Sequence, residues 1–191
     1  MAAHLHSFGL VGGPSPRAID PAEGERLLRG REARLNAILA YGNGRSYGDS
    51  CLNGLGTQID MRARNRIIDF DPQSGLLKAE AGTMLSDIID HVRPHGFFPA
   101  VVPRTRLVTL GGAIANHVHG QNHHRRGTFG CHVESLTLLR SDGVYYRCSA
   151  TQNSDLYRAT IGGLGLTGLI LSAEVRMMKV ASTDVVESVS R

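Results

Sequence analysis

The residues best suited to chemistry begin with Gly42-Asn43-Gly44-Arg45-Ser46-Tyr47-Gly48-Asp49. Glycines at 42, 44 and 48 free the backbone to adopt positive φ and to approach a ligand closely. Successive N–H groups in such a turn can converge on an anion, with Arg45 and Ser46 adding side-chain donors. Two familiar phosphate binders do not fit. The Gly-Lys-Ser/Thr ending of a P-loop is missing, and a dinucleotide fingerprint needs a helix after the loop and a small residue where Tyr47 stands. From these residues alone the stretch is either an anion cradle or a glycine-rich surface turn. A second stretch, Thr109-Leu110-Gly111-Gly112-Ala113-Ile114-Ala115, is small enough for a helix start to lie against a flat ligand, with threonine and backbone N–H groups on its polar edge. Asn116-His117-Val118-His119 follows it. His117, His119, His123, His124 and His132 fall within 16 residues, and His117 and His119 are expected to share one face of a strand. Histidine suits Zn²⁺, Cu²⁺ or Ni²⁺, but Glu134 is the one carboxylate near the cluster in sequence and no third ligand stands at a set spacing, so no metal site is assigned. Arg45, Arg104 and Arg106 suit a pyrophosphate or plain solvent exposure.

Elements to hold these residues can be read around them. Asp20-Pro21-Ala22-Glu23 is a helix start, with an N-cap, proline at the first position and a carboxylate at the third, and the helix is expected to run to about Arg31. Leu35 to Tyr41 reads as a strand entering the glycine loop and Gly56 to Met61 as the strand leaving it. Asn65 to Phe70 and Leu76 to Ala81 form a hairpin. Thr83 is expected to cap a helix whose Leu85, Ile88, Ile89 and Val92 follow helical spacing up to Pro94 and Gly96. His132 to Leu139 and Val144 to Cys148 read as a second hairpin, Asp155 to Thr160 as a helix, and Leu169 to Met177 as an alternating strand after the glycine run 162–168. The expected divisions are residues 1–102, 103–180 and a connector at 181–191.

Composition narrows the function. The chain has 191 residues, 41% hydrophobic and 20% charged, with a net charge of +4. That mild positive balance suits an anionic small molecule, and without tryptophan or basic–aromatic interleaving nucleic acid is not expected. The 23 glycines, about 12% against a usual 7%, fall in clusters. Cys51, Cys131 and Cys148 are dispersed and odd in number, which supports neither disulfides nor a cysteine zinc site. No secretory h-region and no 18-residue apolar run are present, so a cytoplasmic location is expected.

In order along the chain, Tyr41 to Asn53, Pro103-Arg104-Thr105-Arg106 leading into Thr109-Leu110-Gly111-Gly112, His119-Gly120-Gln121-Asn122-His123-His124, and Gly162 to Ile170 resemble the FAD-linked oxidases of the vanillyl-alcohol-oxidase type. The likeness spans about residues 36 to 178 and is strongest to the decaprenylphosphoryl-ribose oxidase branch. It implies an α+β PCMH-type fold of two α/β subdomains with FAD between them. By the same resemblance Asn43, Gly44, Arg45, Ser46, Tyr47, Gly48, Asp49 and Asn53 would wrap the pyrophosphate, with Arg104 nearby. Thr109, Leu110, Gly111 and Gly112 would line the flavin and its phosphates, and Asn116, His117, Val118 and His119 would run along the isoalloxazine. Ile170 would meet the adenine half through its backbone. His119 would stand beside flavin and substrate as the catalytic candidate.

Two departures shape the expectation. Relatives that attach FAD covalently use a histidine in the glycine loop; Arg45 stands there, which implies non-covalent FAD. Arg104 replaces a glycine of close relatives. Relatives also continue into a second domain that supplies the base and the small-molecule substrate site, so this chain alone is expected to bind FAD and to turn over poorly. The implied reaction is oxidation of a secondary alcohol of a sugar or polyprenyl-phosphate sugar. An exposed flavin face would suit dimerisation or peripheral membrane association. A flavin- or nucleotide-binding module that needs a partner chain, and a histidine-based metal protein, are the competing readings.

Overall fold

Asp20 and Pro21 open the first helix as their types require: the Asp20 carboxylate accepts from the Glu23 N–H at 2.9 Å and Pro21 occupies the first turn of α1 (Pro21–Arg29). The computed structural model describes residues 5–9, 16–30 and 37–182. α1 stops at Gly30, whose N–H closes onto the Arg26 carbonyl, so the helix ends short of Arg31, which lies outside the described residues. β1 (Arg17–Ile19), β2 (Ile38–Tyr41) and β3 (Thr57–Asp60) form a parallel sheet in the order β1-β3-β2. Leu35 and Asn36, expected in β2, also lie outside the described residues. Parallel neighbours need a long crossover, usually a helix. Between β2 and β3 that crossover is the glycine loop itself.

β4 (Ile67–Asp71) and β5 (Leu76–Glu80) form the expected hairpin, and β7 (Val133–Leu139) and β8 (Tyr145–Ser149) the second one. β9 (Leu169–Lys179) lies between β5 and β7, antiparallel to both, giving the order β4-β5-β9-β7-β8. β6 (Phe97–Pro99) pairs with the far end of β9. β4 to β6 come before residue 102 and β7 to β9 after it, yet they share one sheet. The two sheets divide between β3 and β4. Sequence order hid this because β9 recruits strands from both sides. Of the expected connector, residues 183–191 lie outside the described residues.

α2 (Leu85–Val92) buries Leu85, Ile88, Ile89 and Val92, at about 1.5–3 kcal/mol of transfer free energy each. Its N-cap is Met84, not Thr83. Thr83 is fully buried and its hydroxyl donates to the Arg66 carbonyl at 3.4 Å, so the side chain ties α2 to the β4 approach instead. α3 (Leu110–Ala115) packs on β5 and β9, and α4 (Ser154–Thr160) on β8. One core runs through both sheets, from Ile59 and Met61 to Leu77, Leu110, Leu138 and Val175.

Candidate functional site

Between the two sheets lies a cleft of about 970 Å³, at the upper end of the usual size for small-molecule sites. One wall is the end of β2 and residues 42–47. The other is the 103–109 turn, the open face of α3, residues 116–119 and the 164–170 segment.

Gly44 (φ +61°) and Gly48 (φ +62°) put left-handed bends into the loop. Among the described residues, no acceptor meets the backbone N–H of Asn43, Gly44, Arg45, Ser46 or Tyr47. These residues line the cleft, and consecutive backbone donors in such a turn are the chemistry an anion needs. The loop is stitched to the opposite wall by side chains: Asn43 Nδ2 donates to the Leu107 carbonyl at 2.9 Å, and Ser46 Oγ to Asn116 Oδ1 at 3.3 Å. At the loop's entrance, a Cβ on Gly42 would overlap Thr109 Oγ1, so only glycine lets the strand pass.

The start of α3 behaves differently from expectation. Leu110 N–H bonds the Thr83 carbonyl at 2.8 Å and Gly111 N–H the Ala81 carbonyl at 2.7 Å, while Thr109 Oγ1 takes the Gly112 N–H at 3.1 Å. These donors are consumed in docking α3 onto β5, which corrects the reading that they bind a ligand's polar edge. What Thr109, Gly111 and Gly112 offer the cleft is a smooth wall. Leu110 is fully buried in the core and is absent from the lining.

Among the described residues no aspartate, glutamate or lysine lines the cleft, whereas Arg45 and Arg104 do. Both are exposed, and neither has a carboxylate partner among the described residues. Burial pushes the Tyr41 phenol and the Cys51 thiol up, so these lining groups add no negative charge near neutral pH. The cleft is electrostatically arranged for an anion.

Gly48, Asp49 and Asn53 fall outside the lining. Asp49 accepts from the Ser7 hydroxyl, and Asn53 Nδ2 donates to the Ala37 carbonyl at 2.9 Å, so both shape the loop from behind. Arg106 is exposed and also outside. Asn116, His117, Val118, His119 and Ile170 all line the cleft.

The histidines do not assemble. His117 sits at φ +46° and His119 in an isolated bridge to Thr128, so the shared strand face is corrected: the left-handed turn breaks the alternation. His117 Nε2 lies 2.6 Å from Thr128 Oγ1, and His132 Nε2 2.8 Å from the Arg126 carbonyl. Among the described residues no three His, Cys, Asp or Glu side chains could hold a metal ion together. His119 is exposed, its ring 5.5 Å from that of His123.

Several lining residues escaped the sequence reading, among them Phe8, Leu39, Met61 and Ala81. Leu164 (φ +53°) and Gly165 (φ +79°) also line it. The glycine run 162–168 was the available signal for the last two. Nothing in sequence marks Phe8 or Ala81, whose positions depend on contacts far along the chain.

A family profile described as "FAD binding domain" matches residues 3–149. Decaprenylphosphoryl-beta-D-ribose oxidase from Mycolicibacterium smegmatis is 46% identical over 152 residues, covering 79% of this chain and 33% of that protein. An uncharacterized oxidoreductase of the fasciation locus of Rhodococcoides fascians is 30% identical over 162 residues, 85% of this chain and 36% of its own length. Mouse L-gulonolactone oxidase is 30% identical over 140 residues, 73% of this chain and 31% of its own. The chain spans about a third of the length of the curated relatives it matches.

Proposed function

The chain belongs to the FAD-binding domain family, and we propose that its cleft holds FAD non-covalently as part of an oxidoreductase acting on a secondary alcohol. The observation that carries this reading is the run of N–H groups from Asn43 to Tyr47, without an acceptor among the described residues, at one wall of a cleft that no described carboxylate lines. That donor set fits a pyrophosphate, and the close approach at Gly42 and the smooth α3 face fit a flat ring system. Asn43 to Tyr47 would hold the diphosphate with Arg45 and Arg104. Thr109, Gly111, Gly112 and residues 116–119 would lie along the flavin, and Ile170 along the adenine half. Bound FAD would supply the two-electron acceptor; this chain's residues bind, orient and exclude water. The loop position at which covalent relatives carry histidine is Arg45, which has no nucleophilic nitrogen for a flavin bond, so the cofactor dissociates.

His119, exposed at the cleft, is the side chain able to exchange a proton beside the substrate. The alcohol's base comes from chain beyond this domain, and the domain alone turns over poorly. The 46% identity to decaprenylphosphoryl-beta-D-ribose oxidase favours a polyprenyl-phosphate sugar or related sugar as the small-molecule substrate. Exposed Leu107, Leu164 and Leu166 suit peripheral contact with a membrane carrying such a lipid. Among the described residues no helix is long and apolar enough to cross one, and three free cysteines fit a reducing cytoplasm.

The test is a visible absorption spectrum of the purified chain before and after denaturation and filtration. A flavin spectrum that passes into the filtrate is expected. Flavin retained on the denatured chain would overturn non-covalent binding, and no flavin after reconstitution with FAD would overturn the reading as a whole.

A further inference from the structure

We propose that the N-terminal segment Leu5–Gly9 is a working part of the cofactor site, a strap that holds the 43–47 loop with its N–H groups turned to the cleft. The inference rests on the FAD reading above.

Loops with several unpaired donors have little to keep them in one shape, since water serves those donors equally well in many conformations. This loop is braced from outside. The Tyr41 hydroxyl, on a residue only 3% exposed, donates to the His6 carbonyl at 2.6 Å. The Ser7 hydroxyl, buried, bonds the Asp49 carboxylate at the loop's far end. Gly9 passes so close to Gly48 that a Cβ on it would lie 3.1 Å from the Gly48 Cα. The His6 carbonyl oxygen fills the space in which a Gly44 side chain would stand. Phe8 then turns inward: its ring meets Tyr47 edge-on with centroids 5.9 Å apart, and it forms part of the cleft wall. The segment thus grips both ends of the loop and its middle, and takes none of the 43–47 N–H groups, which have no acceptor among the described residues. It also sets a second aromatic ring beside the loop's own Tyr47. Phe8 is 57% and Tyr47 79% exposed, an aromatic corner available to a planar ligand.

The experiment compares FAD affinity, by flavin fluorescence quenching on titration into apoprotein, for wild type, Ser7→Ala, Ser7→Thr and Phe8→Ala. Far-UV circular dichroism and a thermal midpoint report folding of each. Ser7→Ala should weaken FAD binding about 10-fold while changing the apoprotein midpoint little, and Ser7→Thr, which keeps the hydroxyl, should restore affinity to within about 3-fold. Phe8→Ala should weaken binding by about 5- to 10-fold. Should Phe8→Ala fail to fold, hydrogen exchange of the 43–47 amides in Ser7→Ala carries the test: FAD should protect them in wild type and much less in the variant. Normal wild-type binding with both alanine variants within twofold of it would overturn the strap alone. A wild-type chain that binds no FAD would overturn the functional reading and the strap with it.

Discussion

Gly44 and Gly48 share a backbone conformation and differ in everything around them, which makes them a controlled pair. Alanine at Gly48 meets open space and bears only the left-handed backbone cost, about 1 kcal/mol. Alanine at Gly44 would add an overlap with the His6 carbonyl oxygen and sit 2.6 Å from the Tyr41 hydroxyl. Gly44→Ala should therefore abolish FAD binding and lower the melting temperature, while Gly48→Ala keeps affinity within about 10-fold. Fluorescence titration and calorimetry on the two variants check this. The clash is with the strap, because the Gly44 Cβ would point at the His6 carbonyl. Arg45 and Arg104 make a second residue-scale case. Both are exposed cationic groups lining the cleft without ion-pair partners among the described residues, so Arg45→Ala combined with Arg104→Ala should weaken FAD by about 10- to 100-fold and flatten its salt dependence. Titrations at low and high ionic strength decide it. Equal salt slopes in wild type and variant would mean these side chains do not reach the phosphates.

At the scale of elements, the joint between the two sheets is held by charge. Glu80, on β5 and almost fully buried, accepts from the Arg66 backbone N–H and from Arg66 Nη2, both at 3.0 Å, and lies 3.5 Å from Arg64 Nη1. Arg64 also pairs with Glu25 on α1, so one guanidinium ties the helix of the small sheet to the core of the large one. Burial alone would raise the Glu80 carboxyl; the Arg66 hydrogen bonds and the Arg66 and Arg64 charges outweigh it and hold the group below its ordinary value of 4.5. Glu174 on β9 is likewise held low: burial opposes, but the Ser135 hydroxyl at 2.7 Å, Arg147 and Lys78 prevail. A depressed folded-state pKa stabilises above the unfolded value, and that contribution is lost as pH falls through the folded one. Stability should thus hold from neutral pH to about 5 and decline steeply below about 4.5, with Glu80→Gln costing on the order of 3 kcal/mol at pH 7 and flattening the acid limb. Urea unfolding midpoints across pH 3 to 7 check both. The hairpins, α1 and α2 were legible in sequence because turn residues and apolar spacing act locally. Thr83 was misread because a threonine before a helix looks like a cap whether or not its hydroxyl faces the helix. The sheet division was illegible for a stronger reason: nothing within β4 or β5 records that the chain will send β9 back between them and β7.

For the molecule as a whole, the cleft joins the sheets, so a ligand filling it should act on global stability. At FAD concentrations 100 times the dissociation constant, linkage adds about 2.7 kcal/mol, which for a chain of this size raises the melting temperature by about 5 to 10 °C. Differential scanning fluorimetry with and without FAD tests this, and an unchanged midpoint at saturation would show that ligand and sheets are not coupled. The glycine loop, the α3 stretch and residues 116–119 line one cleft, a grouping that the family resemblance implied and that composition alone left open. The strap and the helix-start hydrogen bonds were not legible, because a short unpatterned segment and a buried carbonyl leave no trace in composition. The place of β9 in the middle of its sheet also bears on how the chain is made. About 90 residues separate β5 from the start of β9, so at 5–20 residues per second β5 waits roughly 5–18 seconds during synthesis for its central neighbour. Throughout that interval β5, joined once it is made by β7, presents an open edge to every other nascent chain in reach. The yield of folded protein in a cell should accordingly depend on chaperone supply during translation of residues 80–169 more than on the stability of the finished domain.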